Sequence, residues 1–436
     1  MSNADLPATA TSEPPSVRST TTVAAIFIAV FLLSAGSALQ NSAVVLRAGV
    51  EGFGDLAIGL MMSAFYAGFV LGNLVAPGAL KGVGYVRTFA GFASIASAAS
   101  LAHLLVLHPT VWIVIRLIHG VCTACMLVVT EEWLTTSSPT ASRKRILGLY
   151  AIVYILSLGA LQPLLGWFGA DGFRLFLIIG IIISLSVIPV AVHDIRREDR
   201  ASFDLERLPP GSAFQISPLA SSGILLSGIM TSALWSLGPR YASFAGLDNL
   251  ATGLFMLSIS LGAIVVIIPL GAISDRFDRR SVILFTSMLG FAVSLVFLAG
   301  GRLSESTLVF LAALAGATSM PVYSLCVAQI HDQIESENLV RRAFGLMIFF
   351  SLGAVAGPLV ASLMFPLFGA SALFVTIGLA QLGLLLANLR GLRRIPSVER
   401  ARKIAFNPYP HTTPKALILA RRIVERSRHR TPPSTA

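Results

Sequence analysis

The chain has 436 residues, of which 55% are hydrophobic and only 12% are charged, and its mean hydropathy is +0.80. These values exclude an ordinary soluble domain, in which about 25% of the residues are charged. They indicate a multi-pass membrane protein. The formal net charge of +11 comes largely from basic loops and a basic tail, so it does not indicate a nucleic-acid partner.

The first twenty residues are rich in Ser, Thr, Pro and Ala and contain one basic residue, Arg18. They lack the basic segment and the small-residue cleavage site of a secretory signal. We therefore expect residues 1–20 to form a disordered cytoplasmic tail.

Ten long uncharged runs follow this tail. A helix that spans a bilayer needs about 20 apolar residues, so nine runs fit one helix each, and the last fits two that are separated by a turn at "FPLFGAS". A helix at 110–134, which a hydropathy scan would break at Arg116, brings the prediction to twelve spans. The runs cover residues 19–46, 56–80, 88–115, 146–170, 175–193, 208–239, 249–274, 281–301, 306–331 and 343–389.

Basic residues cluster in alternate loops. Each loop on one side holds two to four Lys or Arg residues, whereas the loops on the other side hold only four arginines in all. Because basic loops remain in the cytoplasm, this bias predicts a plasma (inner) membrane protein with both termini cytoplasmic. The richer loops lie at 81–87, 143–145, 196–207, 276–280 and 341–342, and the poorer loops contain Arg47, Arg174, Arg240 and Arg302.

The longest polar interruption divides the spans six and six. It predicts an N-terminal six-helix bundle at 21–193, a cytoplasmic linker at 194–215, a C-terminal bundle at 216–390 and a basic cytoplasmic tail at 391–436. A repeat supports this division: "PGALKGVGYVR" begins at residue 77 and "GAISDRFDRR" at 271, 194 residues later. "GALQPLLG" at 159 and "GAVAGPLVA" at 353 have the same offset. Repeated helical halves are typical of secondary transporters.

These motifs resemble those of the major facilitator superfamily of secondary transporters. The cytoplasmic signature of that family, G-x-L-a-D-R-x-G-R-[KR], is matched after the eighth span except at its second glycine, which is Asp278 here. The resemblance implies a gating loop whose charged pairs lock the outward-facing state. The matching residues are Gly271, Asp275, Arg276, Arg279 and Arg280. In the first-half copy, Lys81 and Gly82 occupy the acidic and the first arginine positions.

Two further motifs agree with this resemblance. Arg116, Gly120 and Ala124 fit the R-x-x-x-G-x-x-x-A pattern of the fourth span, and residues 353–358 resemble the G-x-x-x-G-P helix of antiporters. The chain is also similar to an uncharacterised bacterial branch with "VVxE" ending its fourth helix and "PxYSL" in its tenth, here at 128–131 and 321–325. The family works mostly as monomers.

Arg116 lies inside the fourth span, where a charge must face protein or water. One interpretation is that it lines a central cavity and meets an anionic solute or tunes a nearby proton site, since the family associates this arginine with proton coupling. The other is that it is a buried structural residue. At 100° per residue, His119 and Glu131 share its broad face.

No carboxylate lies deep in any predicted span. If protons are coupled, Glu131 is the favoured carrier because of its partial burial near the end of a span. It could instead pair with a loop cation such as Arg87 and brace the bundle. His119 is a second candidate carrier, because histidine titrates near neutral pH, although a histidine that only packs against neighbouring helices fits equally.

Further polar residues fall on helices that line the cavity in this family, with two tyrosines that could join them. Each of the aromatic residues could instead simply pack against neighbouring helices. An aromatic, mostly neutral cavity suits an amphipathic or weakly acidic organic solute. These candidates are Gln40, Asn41, Tyr66, Tyr154, Trp235, Tyr323 and Ser324.

The sequence contains no pattern typical of an enzyme active site, a P-loop or a metal site. We therefore expect a proton-coupled exporter of a small organic solute, with no catalytic residue, cofactor or metal. A uniporter or uptake permease, and a membrane sensor that kept the fold, are the alternatives. The basic tail contains a segment at 416–430 that could form an amphipathic helix on anionic lipid or stay disordered.

Overall fold

The computed structural model describes residues 15–138, 143–170, 172–192, 218–299, 303–333, 339–394, 406 and 408. Within these residues the secondary structure is helical, with no strand. The predicted linker at 194–215 and the segment 416–430 lie outside the described residues.

Eight helices precede the gap at 193–217. They are α1 (Pro15–Val50), α2 (Asp55–Val83), α3 (Tyr85–Ala102), α4 (Pro109–Ser137), α5 (Arg143–Ala160), α6 (Leu164–Phe168), α7 (Arg174–Leu185) and α8 (Val187–Val192).

Eight more helices follow the gap, with a 3-10 turn at Gly369–Ser371. They are α9 (Pro218–Phe244), α10 (Asn249–Arg276), α11 (Arg279–Leu298), α12 (Glu305–Ser319), α13 (Pro321–Gln333), α14 (Leu339–Leu363), α15 (Phe365–Phe368) and α16 (Ala372–Arg394).

Ten stretches of the described chain are long and apolar enough to cross a membrane. The last of them, Leu346–Arg390, has 45 residues and covers most of both α14 and α16, which are joined at the predicted turn. Helix α3 is not among the ten. The prediction of a multi-pass, all-helical membrane protein is confirmed.

The predicted fourth helix is present as α4, which continues through Arg116 without a break. Helix α1 begins at Pro15, inside the segment 1–20 that was expected to be a disordered tail. The first helix therefore starts earlier than predicted. Other predicted spans break at proline, because proline lacks an amide proton and clashes with the preceding turn. The helical structure is interrupted at residues 161–163 before α6 and at Met320 before α13.

Glycines allow the membrane helices to approach closely. A Cβ atom on Gly120 would lie 2.0 Å from the backbone oxygen of Phe65, and one on Gly353 would lie 2.0 Å from that of Leu225. Small residues at such crossings let helix backbones pack directly, which is a main source of helix association in membranes. These two motif glycines therefore join α2 to α4 and α9 to α14.

The described helices define two ends of the bundle. Helix α10 has 28 residues, about 42 Å at 1.5 Å per residue, so its two ends lie at opposite faces. We call the face with Asp55 and the start of α10 the Asp55 end, and the face with the α10–α11 loop and Asp332 the Asp332 end.

At the Asp55 end, Arg240 of α9 donates two hydrogen bonds to Asp55 Oδ1 of α2, at 2.9 and 2.6 Å. A Cβ on Gly253 would lie 2.5 Å from the backbone oxygen of Gln162. An ion pair and a backbone crossing thus both join the first half to the second at this end.

Candidate functional site

A cavity lies between the two halves. Helices α1, α2, α4 and α5 of the first half and α9 and α14 of the second contribute to its wall, none of whose residues carries a formal charge. The lining residues are Ser34, Ser37, Ala38, Asn41, Phe65, Tyr66, Phe69, Thr123, Leu127, Tyr154, Leu158, Thr231, Ser232, Trp235, Phe350, Ser351 and Ala354.

Four of the predicted lining residues belong to this wall: Asn41, Tyr66, Tyr154 and Trp235. The buried indole Nε1 of Trp235 has no hydrogen-bond partner in the described part of the chain. An unsatisfied buried donor costs about 1–3 kcal/mol, and an acceptor in the cavity could reach this N–H only if the surrounding side chains moved.

Three predicted residues lie away from the wall, so their assignment needs correction. Gln40 is fully buried, and neither of its amide atoms has a partner among the described residues. Tyr323 packs edge-to-face against Phe350 with the ring centroids 5.1 Å apart, and Ser324 beside it is buried. Because Phe350 itself lines the cavity, Tyr323 lies behind the wall, on the helix α13 that begins at Pro321.

The lining residues that the sequence analysis missed follow helical spacing from those that it found. Ser34, Ser37 and Ala38 precede Asn41 on one face of α1, and Thr231 lies one turn before Trp235. Positions three and four apart share one face of a helix, so extending each candidate by one turn would have found them. The contribution of α14 had no such signal.

Arg116 lies behind the cavity wall and does not belong to it. Its side chain is fully buried, its Nη2 donates to Asn41 Oδ1, and its guanidinium lies 4.4 Å from the ring centroid of Phe65. Both of these partners line the cavity. Arg116 therefore does not face the cavity directly, and Asn41 and Phe65 lie between its guanidinium and any solute there.

His119 is the third neighbour of Arg116, with its Nδ1 3.3 Å from the guanidinium Nη1. Arginine has only donors, so in this hydrogen bond His119 Nδ1 is the acceptor and the ring is neutral. A proton on Nδ1 would remove the acceptor and bring two cations together. This geometry supports a structural role for His119 rather than proton transport.

Glu131 is 2% exposed and accepts a 3.0 Å hydrogen bond from the Tyr150 hydroxyl. Arg87, the cation suggested as its partner, is exposed and makes no ion pair with a described residue. Glu131 lies one helical turn beyond Leu127, and Tyr150 lies one turn before Tyr154. Because Leu127 and Tyr154 both line the cavity, this carboxyl group lies close behind the wall.

The signature loop between α10 and α11 is organised around Arg279, which is buried. Its Nε donates to Asp332 at 2.6 Å, its Nη1 donates to Ser274 at 2.9 Å, and its Nη2 lies 3.1 Å from Asp275. These contacts connect α10, α11 and α13 within the second half. The expected charged pairs are present, and the partners seen here belong to one half.

Asp278 explains the departure from the signature glycine. It is the N-cap of α11, where its Oδ1 accepts from the backbone amide of Arg280 at 3.0 Å, and its Oδ2 also pairs with the Arg280 side chain at 2.8 Å. Aspartate is favoured at this position because it satisfies a free amide of the first turn. Arg276 is exposed and has no ion-pair partner in the described part of the chain.

The C-terminal tail reaches this loop through Phe406. Its backbone amide lies 2.9 and 3.0 Å from the two carboxylate oxygens of Asp275. A Cβ on Gly271 would lie 2.1 Å from the Phe406 ring, so the glycine leaves room for this aromatic residue. Nothing in the sequence pattern predicts this contact.

Within the described residues, no group of three or more His, Cys, Asp or Glu side chains is placed to share a metal ion.

The comparisons with known proteins agree with this architecture. The sequence model of the Major Facilitator Superfamily matches residues 26–264 and 220–429. The chain is 24% identical to the uncharacterized MFS-type transporter YcaD of Escherichia coli O7:K1 over 370 residues, which is 84% of this chain and 94% of the relative. An uncharacterized MFS-type transporter of Yersinia pestis is 24% identical over 323 residues, covering 73% of this chain and 82% of the relative.

Solved structures show the same fold at low sequence identity. The nucleoside transporter NupG superimposes with a TM-score of 0.68 at 12% identity, over 86% of this chain and 98% of its own. A bacterial homolog of the human lysosomal transporter Spinster gives 0.62 at 18% identity, over 97% of this chain and all of its own. The chain belongs to the Major Facilitator Superfamily of membrane transporters.

Proposed function

We propose that the protein is a secondary active transporter that exports a small organic solute by alternating access, in exchange for protons. The observation that carries this proposal is the cavity at the boundary between the halves, with a wall drawn from both. A site between two bundles is exposed to either side when the bundles rock against each other.

We propose twelve spans with both termini in the cytoplasm of the inner membrane, following the distribution of basic loops. In this orientation the Asp55 end faces outward. The ion pair of Arg240 with Asp55 and the crossing of Gly253 with Gln162 then close the outer face in the present conformation. We also propose that the protein works as a monomer.

Glu131 is the proposed proton carrier. Its burial, its Tyr150 hydrogen bond and its place one turn beyond the cavity residue Leu127 support this role. Asp332 is less suitable because Arg279 holds its carboxylate from two nitrogen atoms, at 2.6 and 3.4 Å. Gain or loss of a proton at Glu131 would change its contact with α5, and so the packing beside the cavity.

Export is proposed from the resemblance of α14 to the antiporter helix. Pro358 lies inside α14, and Phe350, Ser351 and Ala354 of the same helix line the cavity. A movement of α14 would therefore alter the cavity directly.

One observation favours uniport as a second candidate. The cavity wall contains no acidic residue, so solute and proton cannot compete for a carboxylate that they both contact. A uniporter would bind and release the same solute without a linked proton.

The test is proton release from the purified protein in detergent upon addition of uncharged and weakly acidic aromatic solutes. We expect binding of a solute to release protons, and Glu131→Gln to abolish the release. Glu132→Gln is the matched control, because Glu132 is the adjacent buried acid. Solute binding without proton release would instead support uniport. Glu131 would then have a structural role and would not carry protons.

A further inference from the structure

The charge of Arg116 is not neutralised locally. The described residues that contact its guanidinium are Asn41, His119 and Phe65, none of which is negative. Its buried Nε has no hydrogen-bond partner within the described chain. Glu131 lies fifteen residues along the same helix, about 22 Å away.

A buried cation of this kind acts beyond its own contacts. Charges that are removed from water are screened much less than those at a surface. Asn41 and Phe65 each touch Arg116 and also line the cavity, so one layer of side chains separates the guanidinium from the cavity. The wall has no charge of its own, and two charged residues lie behind it: Arg116 beside Asn41 and Phe65, and Glu131 beside Leu127 and Tyr154. On the side of the cavity formed by Asn41, the nearest charge is that of Arg116.

Arg116 also fixes the orientation of Asn41. A guanidinium can only donate, so the Asn41 amide must direct its oxygen toward Arg116 and keep its NH2 group for other partners. The wall therefore combines a positive field with the N–H donors of Asn41, both of which favour hydrogen-bond acceptors in a solute.

We infer that the cavity selects uncharged or weakly acidic aromatic solutes that carry hydrogen-bond acceptors, and that it excludes organic cations through the field of Arg116. Arg116 is then a positioning residue that never touches the solute, and Asn41 is the specificity-determining contact. This inference rests on the proposed transport function, whose binding site it describes.

The field can be measured without a known substrate. Ser37 lines the cavity one turn from Asn41, and in a Ser37→Cys protein the new thiol would react with small charged reagents. Two such probes are the anionic sulfonatoethyl and the cationic trimethylammonioethyl methanethiosulfonates. The three native cysteines are buried, and the protein without the added cysteine gives the background. Ser306→Cys, at an exposed position, gives the intrinsic ratio of the two rates.

We expect the field to raise the anionic rate and lower the cationic rate by roughly tenfold each, the scale for unit charges about 10 Å apart at an effective dielectric constant near 20. The ratio of the two rates should therefore be roughly 100-fold higher at Ser37→Cys than at Ser306→Cys. Arg116→Gln should remove this preference, whereas Arg116→Lys should keep it. The field changes the ionisation of the thiol equally for both reagents, so the ratio isolates the effect on the probe.

Asn41→Asp provides a second test that retains the size of the side chain and adds a negative partner for Arg116. It should also lower the ratio, so the test does not depend on the folding of the Arg116→Gln protein. Equal ratios at Ser37→Cys and Ser306→Cys, or a ratio unchanged by Arg116→Gln, would overturn the inference. Labelling needs no transport, so failure here leaves the proton-release experiment intact as the test of the proposed function.

Discussion

The two ends of the bundle use ion pairs differently. At the Asp55 end, Arg240 reaches from the second half to Asp55 in the first. At the Asp332 end, Arg279 gathers Asp275 and Asp332 within the second half. Both arginines make short contacts with carboxylates, but only the first of these pairs connects elements that must separate when a transporter opens.

Burial follows the same division. The side chains of Arg240 and Asp55 are 16% and 35% exposed, whereas those of Arg279 and Asp332 are 2% and 3% exposed. An exposed pair contributes about 0–1 kcal/mol, but removing one partner of a buried pair costs about 3–5 kcal/mol. The Arg240–Asp55 contact at the Asp55 end can thus break in each transport cycle. The Arg279–Asp332 pair instead keeps the second half rigid.

The largest expected effect comes from breaking the buried pair. Asp332→Asn removes the buried one of the two carboxylates that pair with Arg279 and should lower the free energy of unfolding by about 3 kcal/mol, because the buried guanidinium keeps only the more exposed Asp275. Thermal unfolding in detergent would measure the loss. Glu51→Gln is the control: it removes the acid of the Arg47 pair, whose side chains are 17% and 21% exposed, so its unfolding midpoint should stay close to the native value. Equal midpoints for the two variants would contradict the structural role of Asp332.

A smaller effect is expected from crowding the backbone crossing at the Asp55 end. A Cβ on Gly253 would lie 2.5 Å from the Gln162 oxygen, so Gly253→Val should disfavour closure there by about 1–3 kcal/mol. Spin labels at Val50 and Ala245, which are exposed on opposite halves, would report a longer distance between the halves.

Gly78→Val is the matched control for this crowding, because a Cβ on Gly78 meets nothing within 4 Å. It should leave the distribution of distances between the two labels unchanged. The same lengthening in both variants would show that the Gly253 crossing does not hold the halves together.

The half-buried ion pair at the Asp55 end should have a smaller effect still. Arg240→Ala removes the link to Asp55 and should shift the population toward a state open at this end by about fivefold, equivalent to about 1 kcal/mol. The same spin-label pair would measure the shift. Arg47→Ala is the matched control because Arg47 pairs with Glu51 within one half. Exchange of the charges in Asp55→Arg with Arg240→Asp should restore the native distances, and an uncorrected shift in that double variant would contradict the latch.

The architecture could be read from the sequence because hydropathy and charge spacing constrain whole helices. The position of Arg116 behind Asn41 could not, because it depends on the rotation of each helix about its axis. A hydropathy scan still finds a span when its predicted ends are wrong by one turn. An error of 100° in the rotation of the helix about its axis, however, moves a side chain off the cavity wall. Gln40 and Asn41 illustrate this: they are neighbours in the chain, but only Asn41 faces the cavity.

The partners of the charged residues were equally hidden. Arg240 and Asp55 are separated by 185 positions, and no local pattern connects them. The signature loop was visible as a motif, but its contact with Phe406 was not, since tertiary contacts made by a tail leave no periodic signal.

The smallest expected effect concerns that tail contact, and it sharpens the view of the Asp332 end as a rigid unit. Gly271→Ala should push the Phe406 ring aside and destabilise the protein by about 1 kcal/mol, typical of mild overpacking. In a Phe406→Ala background the space is free, so the same substitution should cost almost nothing. Unfolding midpoints of the two single variants and the double variant give the coupling between these residues. An equal cost of Gly271→Ala in both backgrounds would mean that the tail does not pack on the loop in solution, and that the rigidity of this end comes from Arg279 and its carboxylates alone.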